Sequence, residues 1–141
     1  MQSFTKENKV TVEDATSAGT SAVNSSAYDM AGYENITFLV KLGTAAANNS
    51  IKAQQDTASG MGSAADLEGT SNASDGTEKL LVVEVVKPRE RYVRCVVTRG
   101  TSTTIDSITA IQSCPRSIPV DNDASTNNSV EYHVSPAEGT A

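Results

Sequence analysis

There is no tryptophan in this chain, one histidine, two cysteines and four prolines among 141 residues. Each scarcity excludes something. Two cysteines cannot build the disulfide framework of a small secreted domain. Cys95 and Cys114 also lack the paired C-x-x-C spacing of a zinc or redox site. They read as two reduced thiols, with one bond between neighbouring strands as the alternative that geometry decides. The lone histidine, His133, sits in the alternating run VEYHV with no nucleophile or orienting partner beside it. It therefore reads as a surface or structural residue rather than a general base. No apolar run approaches the roughly 20 residues that a membrane helix needs. The opening residues MQSFTKENKV hold no apolar core of a secretory signal, so synthesis in a cytoplasm is expected.

Basic charge is also scarce. Eleven Lys and Arg stand against 17 Asp and Glu, for a net charge of −6. A surface of that sign repels nucleic acid, so no nucleic-acid partner is expected. Phosphate and calcium chemistry are equally thin. GMGSAADLEG has glycines but no following GK[ST]. Asp121-Asn122-Asp123 lacks the downstream Gly and Glu of a calcium loop and reads as a turn. No catalytic constellation, metal site or cofactor site emerges, and the chain is not expected to be an enzyme.

What is present is a set of short Val, Ile and Leu runs separated by Ser, Thr, Asn, Asp and Gly. That composition predicts strands with generous loops. Residues 9 to 12 alternate and read as a first strand, and SAVNSSAYDM holds a short strand before a turn at Gly32. Residues 35 to 42 are a strong strand. Ile36, Phe38, Val40 and Leu42 point one way, which leaves Leu39 on the outer face as a candidate neighbour contact. IKAQQ at 51 to 55 is another strand. Residues 56 to 77 read as a long loop in which AADLEG forms one helical turn. Residues 104 to 113 have a mixed period that predicts a bulge. Residues 129 to 135 read as a last strand.

The fold class is therefore all-β: a single β-sandwich or small jelly-roll-like barrel of about seven or eight short strands with extended termini. The expected organisation is a flexible arm over residues 1–8, a β-domain over 9–135 and an extended tail over 136–141.

One stretch combines the strongest strand pattern with most of the basic charge. KLLVVEVVKPRERYVRCVVTRG, residues 79 to 100, holds Lys79, Lys87, Arg89, Arg91, Arg94 and Arg99, six of the eleven basic residues. It reads as a β-hairpin joined across Pro88. Its first strand is apolar on nearly both faces and so is expected to be central or covered. Two readings of the charge stand side by side. One is a solvated edge that resists aggregation. The other is a contact with an acidic protein surface, with arginines Arg89, Arg91, Arg94 and Arg99 pairing carboxylates around a Tyr92 anchor.

The runs DMAGYENITFLVKLGT, SIKAQQDTASGMGSAADLEGT, KLLVVEVVKPRERYVRCVVTRGT, IDSITAIQSCPRSIP and EYHVSPAEGTA together resemble a family of small virion proteins of tailed bacteriophages. The likeness spans residues 29 to 141 and is one of whole length, not of a chemical motif. It implies a head decoration, or cement, protein on the capsid surface. The partner would be the major capsid protein, and the protein itself a homo-oligomer, with a trimer favoured. A connector or tail-associated role and a glycan-binding adhesion module are the alternatives.

Overall fold

Ile36, Phe38, Val40 and Leu42 have no exposed surface at all, and the residues between them are exposed or half-buried. That two-residue period is what the sequence predicts for a strand lying on a core. The computed structural model describes residues 3–122, 128–135 and 137–140. These contain a short helix α1 (Phe4–Glu7) and eleven strands: β1 (Lys9–Glu13), β2 (Thr16–Gly19), β3 (Val23–Asn24), β4 (Tyr28–Asp29), β5 (Tyr33–Leu42), β6 (Ala47–Asp56), β7 (Ala65–Asp66), β8 (Asn72–Asp75), β9 (Leu80–Val86), β10 (Tyr92–Thr98) and β11 (Thr103–Pro115).

The strands form two antiparallel sheets, and the fold is a β-sandwich. The first sheet runs β1-β11-β5-β9, with β2 also on β11. The second runs β3-β10-β6-β7, with β4 also on β10 and β8 on β6. Between them lies one core. Phe38, Ile36 and Val40 of β5, Leu81, Val83 and Val85 of β9, and Ile105 and Ile108 of β11 meet Ile51 and Ala53 of β6 and Val93, Cys95 and Val97 of β10. Tyr28 packs edge-on against Phe38, ring centroids 5.6 Å apart. Its hydroxyl donates to Glu13 Oε1 at 2.7 Å, which ties the first sheet to the second. Burial and that carboxylate push the Tyr28 phenol well above its usual range.

The expected bulge is present in β11, where the pairing with β5 slips between Ile105 and Ser107. The slip restores the phase of the strand: Ile105, Ile108 and Ala110 all reach the core.

Several expectations are corrected. β9 and β10 are not a hairpin. β9 pairs with β5 in the first sheet, and β10 pairs with β6 in the second. The Pro88 connection crosses the sandwich instead. It begins at Lys87, whose φ of 51° lies in the left-handed region, and its N–H still donates to Glu34 O at 2.7 Å. Nor is β9 central. It is an edge strand with an alternating burial pattern. Its two apolar faces look alike in sequence, but only Leu81, Val83 and Val85 find a core.

Residues 56 to 77 are not one loop, because β7 and β8 add short strands to β6. Ala65 and Asp66 are extended rather than helical. Residues 4 to 7, expected as a flexible arm, form α1, and Glu7 Oε1 accepts from the Ser3 N–H at 3.2 Å. The last expected strand does not form: residues 128–135 lie outside both sheets. Asp123 of the candidate turn, and parts of both expected termini, lie outside the described residues. Asn122 is no mere turn residue. It is buried, accepts from Val10 N at 2.7 Å and donates to Thr5 O and Asn8 O.

Candidate interaction surface

The two outer faces of the sandwich differ in kind. On the second sheet, the outer row is polar and occupied by its own bonds. Arg94 Nε donates to Gln54 Oε1 at 2.8 Å, Gln54 Nε2 donates to Asp66 Oδ1 at 2.7 Å, and Lys52 Nζ lies 2.7 Å from Asp66 Oδ2. These contacts hold the Asp66 carboxyl below its usual range, the Lys52 hydrogen bond first among the causes. Arg91 grips Asp29 with two bonds, Nε to Oδ1 at 2.9 Å and Nη2 to Oδ2 at 2.7 Å. The guanidinium holds the Asp29 carboxyl low, and it lies 5.3 Å from the Tyr92 ring.

Arg99 is not at the surface. It is 8% exposed. Its Nε donates to Ser21 O, and its Nη1 donates to Ser17 O and Thr103 O, at 2.8, 2.8 and 3.0 Å. It locks β2 and the turn after β10 together. Arg89 is exposed, in the crossover, and its backbone N–H donates to Gln55 Oε1. Of the five basic or aromatic candidates, then, Arg91, Tyr92 and Arg94 share one outer face, Arg89 lies at its end, and Arg99 is interior. Arg91 and Arg94 are already engaged within the chain.

The outer face of the first sheet is the reverse. Pairing aligns Val12 with Thr109, Thr109 with Leu39, and Leu39 with Val82, one row across all four strands. The next row is Val10, Ile111, Thr37 and Glu84. Leu80 and Val86 extend the apolar edge at 52% and 60% exposed, and Val82 is 41% exposed. Of the charges on this face, Glu84 stands in the second row and Lys41 pairs with Asp106 at 2.7 Å, at one end. Val12, Leu39, Val82, Val10 and Ile111 thus form a largely apolar band, interrupted by Thr109, Thr37 and Glu84, where the other face carries a self-satisfied polar network. Leu39 sits at the band's centre. The band's other members escape sequence reasoning because a strand expected to be central or covered has no apolar face left over. Its signal was there: a strand apolar on both faces needs two covers.

His133 Nε2 lies 2.8 Å from Glu131 Oε2 on an exposed segment. Among the described residues no group of three or more His, Cys, Asp or Glu is placed to hold a metal ion. No helix of the described residues is long and apolar enough to cross a membrane. Both cysteines are free. Burial pushes the Cys95 thiol up to about 12, whereas Cys114 is exposed.

The class defined so far is a two-sheet antiparallel sandwich with one apolar outer face. No protein-family model matches the chain, and no curated protein is similar to it in sequence. Among solved structures, the fold is similar to the crystal structure of the SPBc2 prophage-derived protein YomS. The TM-score is 0.46 and the identity 11%, over 76% of this chain and 95% of that one.

Proposed function

We propose that this protein is a non-enzymatic structural protein of a tailed-bacteriophage virion, most specifically a decoration protein that binds the outside of the head and stabilises the capsid lattice. The observation that carries the reading is the apolar row Val12–Thr109–Leu39–Val82 across the first sheet. Burying such a face against the major capsid protein adds hydrophobic contact area at each site, and many copies multiply it over the lattice. A second sheet in which Arg91 and Arg94 bind groups of their own chain, leaving the apolar face of the first sheet for a partner, supports the same reading.

The test is copy number and attachment. Purified virions are expected to contain the protein in numbers comparable to the major capsid protein, and heads lacking it to lose DNA at lower temperature. A handful of copies per particle would overturn the decoration role in favour of a connector or tail position.

A further inference from the structure

The first sheet has two edges, and they are finished differently. At the β1 edge, Asn122 and Asn128 of the C-terminal segment hold the Val10 N–H and C=O, and Lys6 Nζ lies 3.7 Å over the Tyr132 ring. At the β9 edge no strand of the described residues follows in the sheet. The bonds Lys87 N to Glu34 O and Leu42 N to Lys79 O show that odd-numbered residues of β9 face β5. By strand alternation, the N–H and C=O of Leu80, Val82, Glu84 and Val86 point away from the sheet. Asn72 Nδ2 takes the Val82 carbonyl at 2.9 Å. Beyond it, Glu84 and Val86 open onto a groove of about 450 Å³ whose walls include Gln55, Leu67, Thr70, Lys87 and Arg89.

The chain also contains a segment with a strand's side-chain alternation that joins no sheet. Glu131-Tyr132-His133-Val134 continues an alternating pattern, is exposed throughout and lies outside both sheets, with Val134 66% exposed. We propose that Glu131–Val134 of one copy adds as an extra strand to the β9 edge of a second copy. The chemistry matches on both sides of that strand. Tyr132 and Val134 would continue the apolar outer band of Val82 and Val86. Glu131 would turn into the groove beside Lys87 and Arg89, neither of which is in an ion pair among the described residues; Glu68 also lines that groove. A paired edge also removes the aggregation liability of an open apolar strand.

The acceptor is a neighbour's edge rather than the chain's own. β1 and β9 are separated by three strand spacings, about 14 Å. Tyr132 is held at the β1 side, and Val134, two residues on, reaches only about 7 Å further. The donor thus sits at one edge of the sheet and the acceptor at the other. Each copy gives a strand forward and receives one behind. Such a head-to-tail junction joins the first sheets of successive copies edge to edge, closing into a ring where the rotation per copy closes and extending as a filament where it does not.

The junction concerns how copies join one another and is independent of capsid attachment. An assembly that fails to bind heads would sink the decoration role and leave the junction standing. The experiment is the light-scattering mass of the full chain at about 100 µM, well above the Kd of a useful assembly. The wild type is expected at a whole-number multiple of the chain mass. Tyr132→Asp with Val134→Asp, outside both sheets, is expected to be a folded monomer by circular dichroism. Glu84→Pro, which removes an outward N–H and leaves the β5 ladder intact, is also expected to be a monomer. Mixing the two variants leaves one sound donor and one sound acceptor, so a two-chain species is expected and no larger one. A monomeric wild type, a donor variant that keeps the wild-type mass, or a mixture that stays monomeric would overturn the proposal.

Discussion

Leu39 of β5 lies directly across from Val82 of β9, side by side on the outer face of the first sheet. Neither belongs to the core between the sheets. Their pairing joins the central strand of that sheet to its free edge and forms the middle of the apolar band.

Replacing both, Leu39→Glu with Val82→Glu, is expected to abolish attachment to heads. The melting temperature should stay within a few degrees of wild type, because neither side chain packs on the core. Co-sedimentation with capsids, alongside a thermal melt, measures both. Retained attachment would move the contact elsewhere.

Arg91→Glu with Arg94→Glu should act the other way. Their partners are Asp29 and Gln54 of the same chain. The reversal at position 91 sets a second carboxylate against Asp29, lowering stability, while capsid attachment at stable temperatures persists. Loss of attachment with an unchanged melt would restore the electrostatic reading of this surface.

Arg99→Ala should be the costliest arginine substitution. It strands the carbonyls of Ser17, Ser21 and Thr103. Losing charge-assisted bonds to buried acceptors costs about 3 kcal/mol. Gly19 confirms how closely the group is seated: a Cβ there would lie 2.8 Å from Arg99 Nη2. Chemical denaturation gives the number, and a loss below about 1 kcal/mol would contradict the interior role.

Acid should loosen the loops before the core. The Glu78 carboxyl is held down to about 2, with hydrogen bonds from its own backbone N–H, from Ser74 and from Asp75 as lowering causes. Asp56 is also held low, first by the backbone N–H groups of Ala58 and Ser63. A carboxyl depressed in the folded state stabilises above its unfolded pKa and loses that contribution as pH falls toward its folded value. Stability is therefore expected to be flat from neutral pH to about 5 and to fall between about 4.5 and 2. Glu78→Gln should flatten part of that fall. A pH series of thermal melts decides it.

The thiols give a direct check on the fold. Cys114 should react with a maleimide in the native protein and Cys95 only after unfolding, since its burial disfavours the thiolate. Mass spectrometry should find one adduct native and two denatured.

The strand over 35 to 42, the bulge after Ile105 and the all-β class were legible because side-chain alternation is local: each residue's face depends only on its neighbours in the chain. The hairpin was misread for the same reason. LLVVEVV and YVRCVV look like partners, yet nothing local distinguishes a two-strand turn from a crossover between sheets. Lys87 in a left-handed conformation sends the chain across. Arg99 offers the same lesson: a charged side chain reads as surface until Ser17, Ser21 and Thr103 are brought around it from distant positions.

The sequence by itself determined that this chain forms strands and which residues of each strand share a face. Which face of β9 is covered, which sheet β10 joins, and which arginines remain free were decided only by tertiary structure. Alternation sets the two faces of a strand. Pairing across many residues of chain decides which of them meets a core and which is left for a partner.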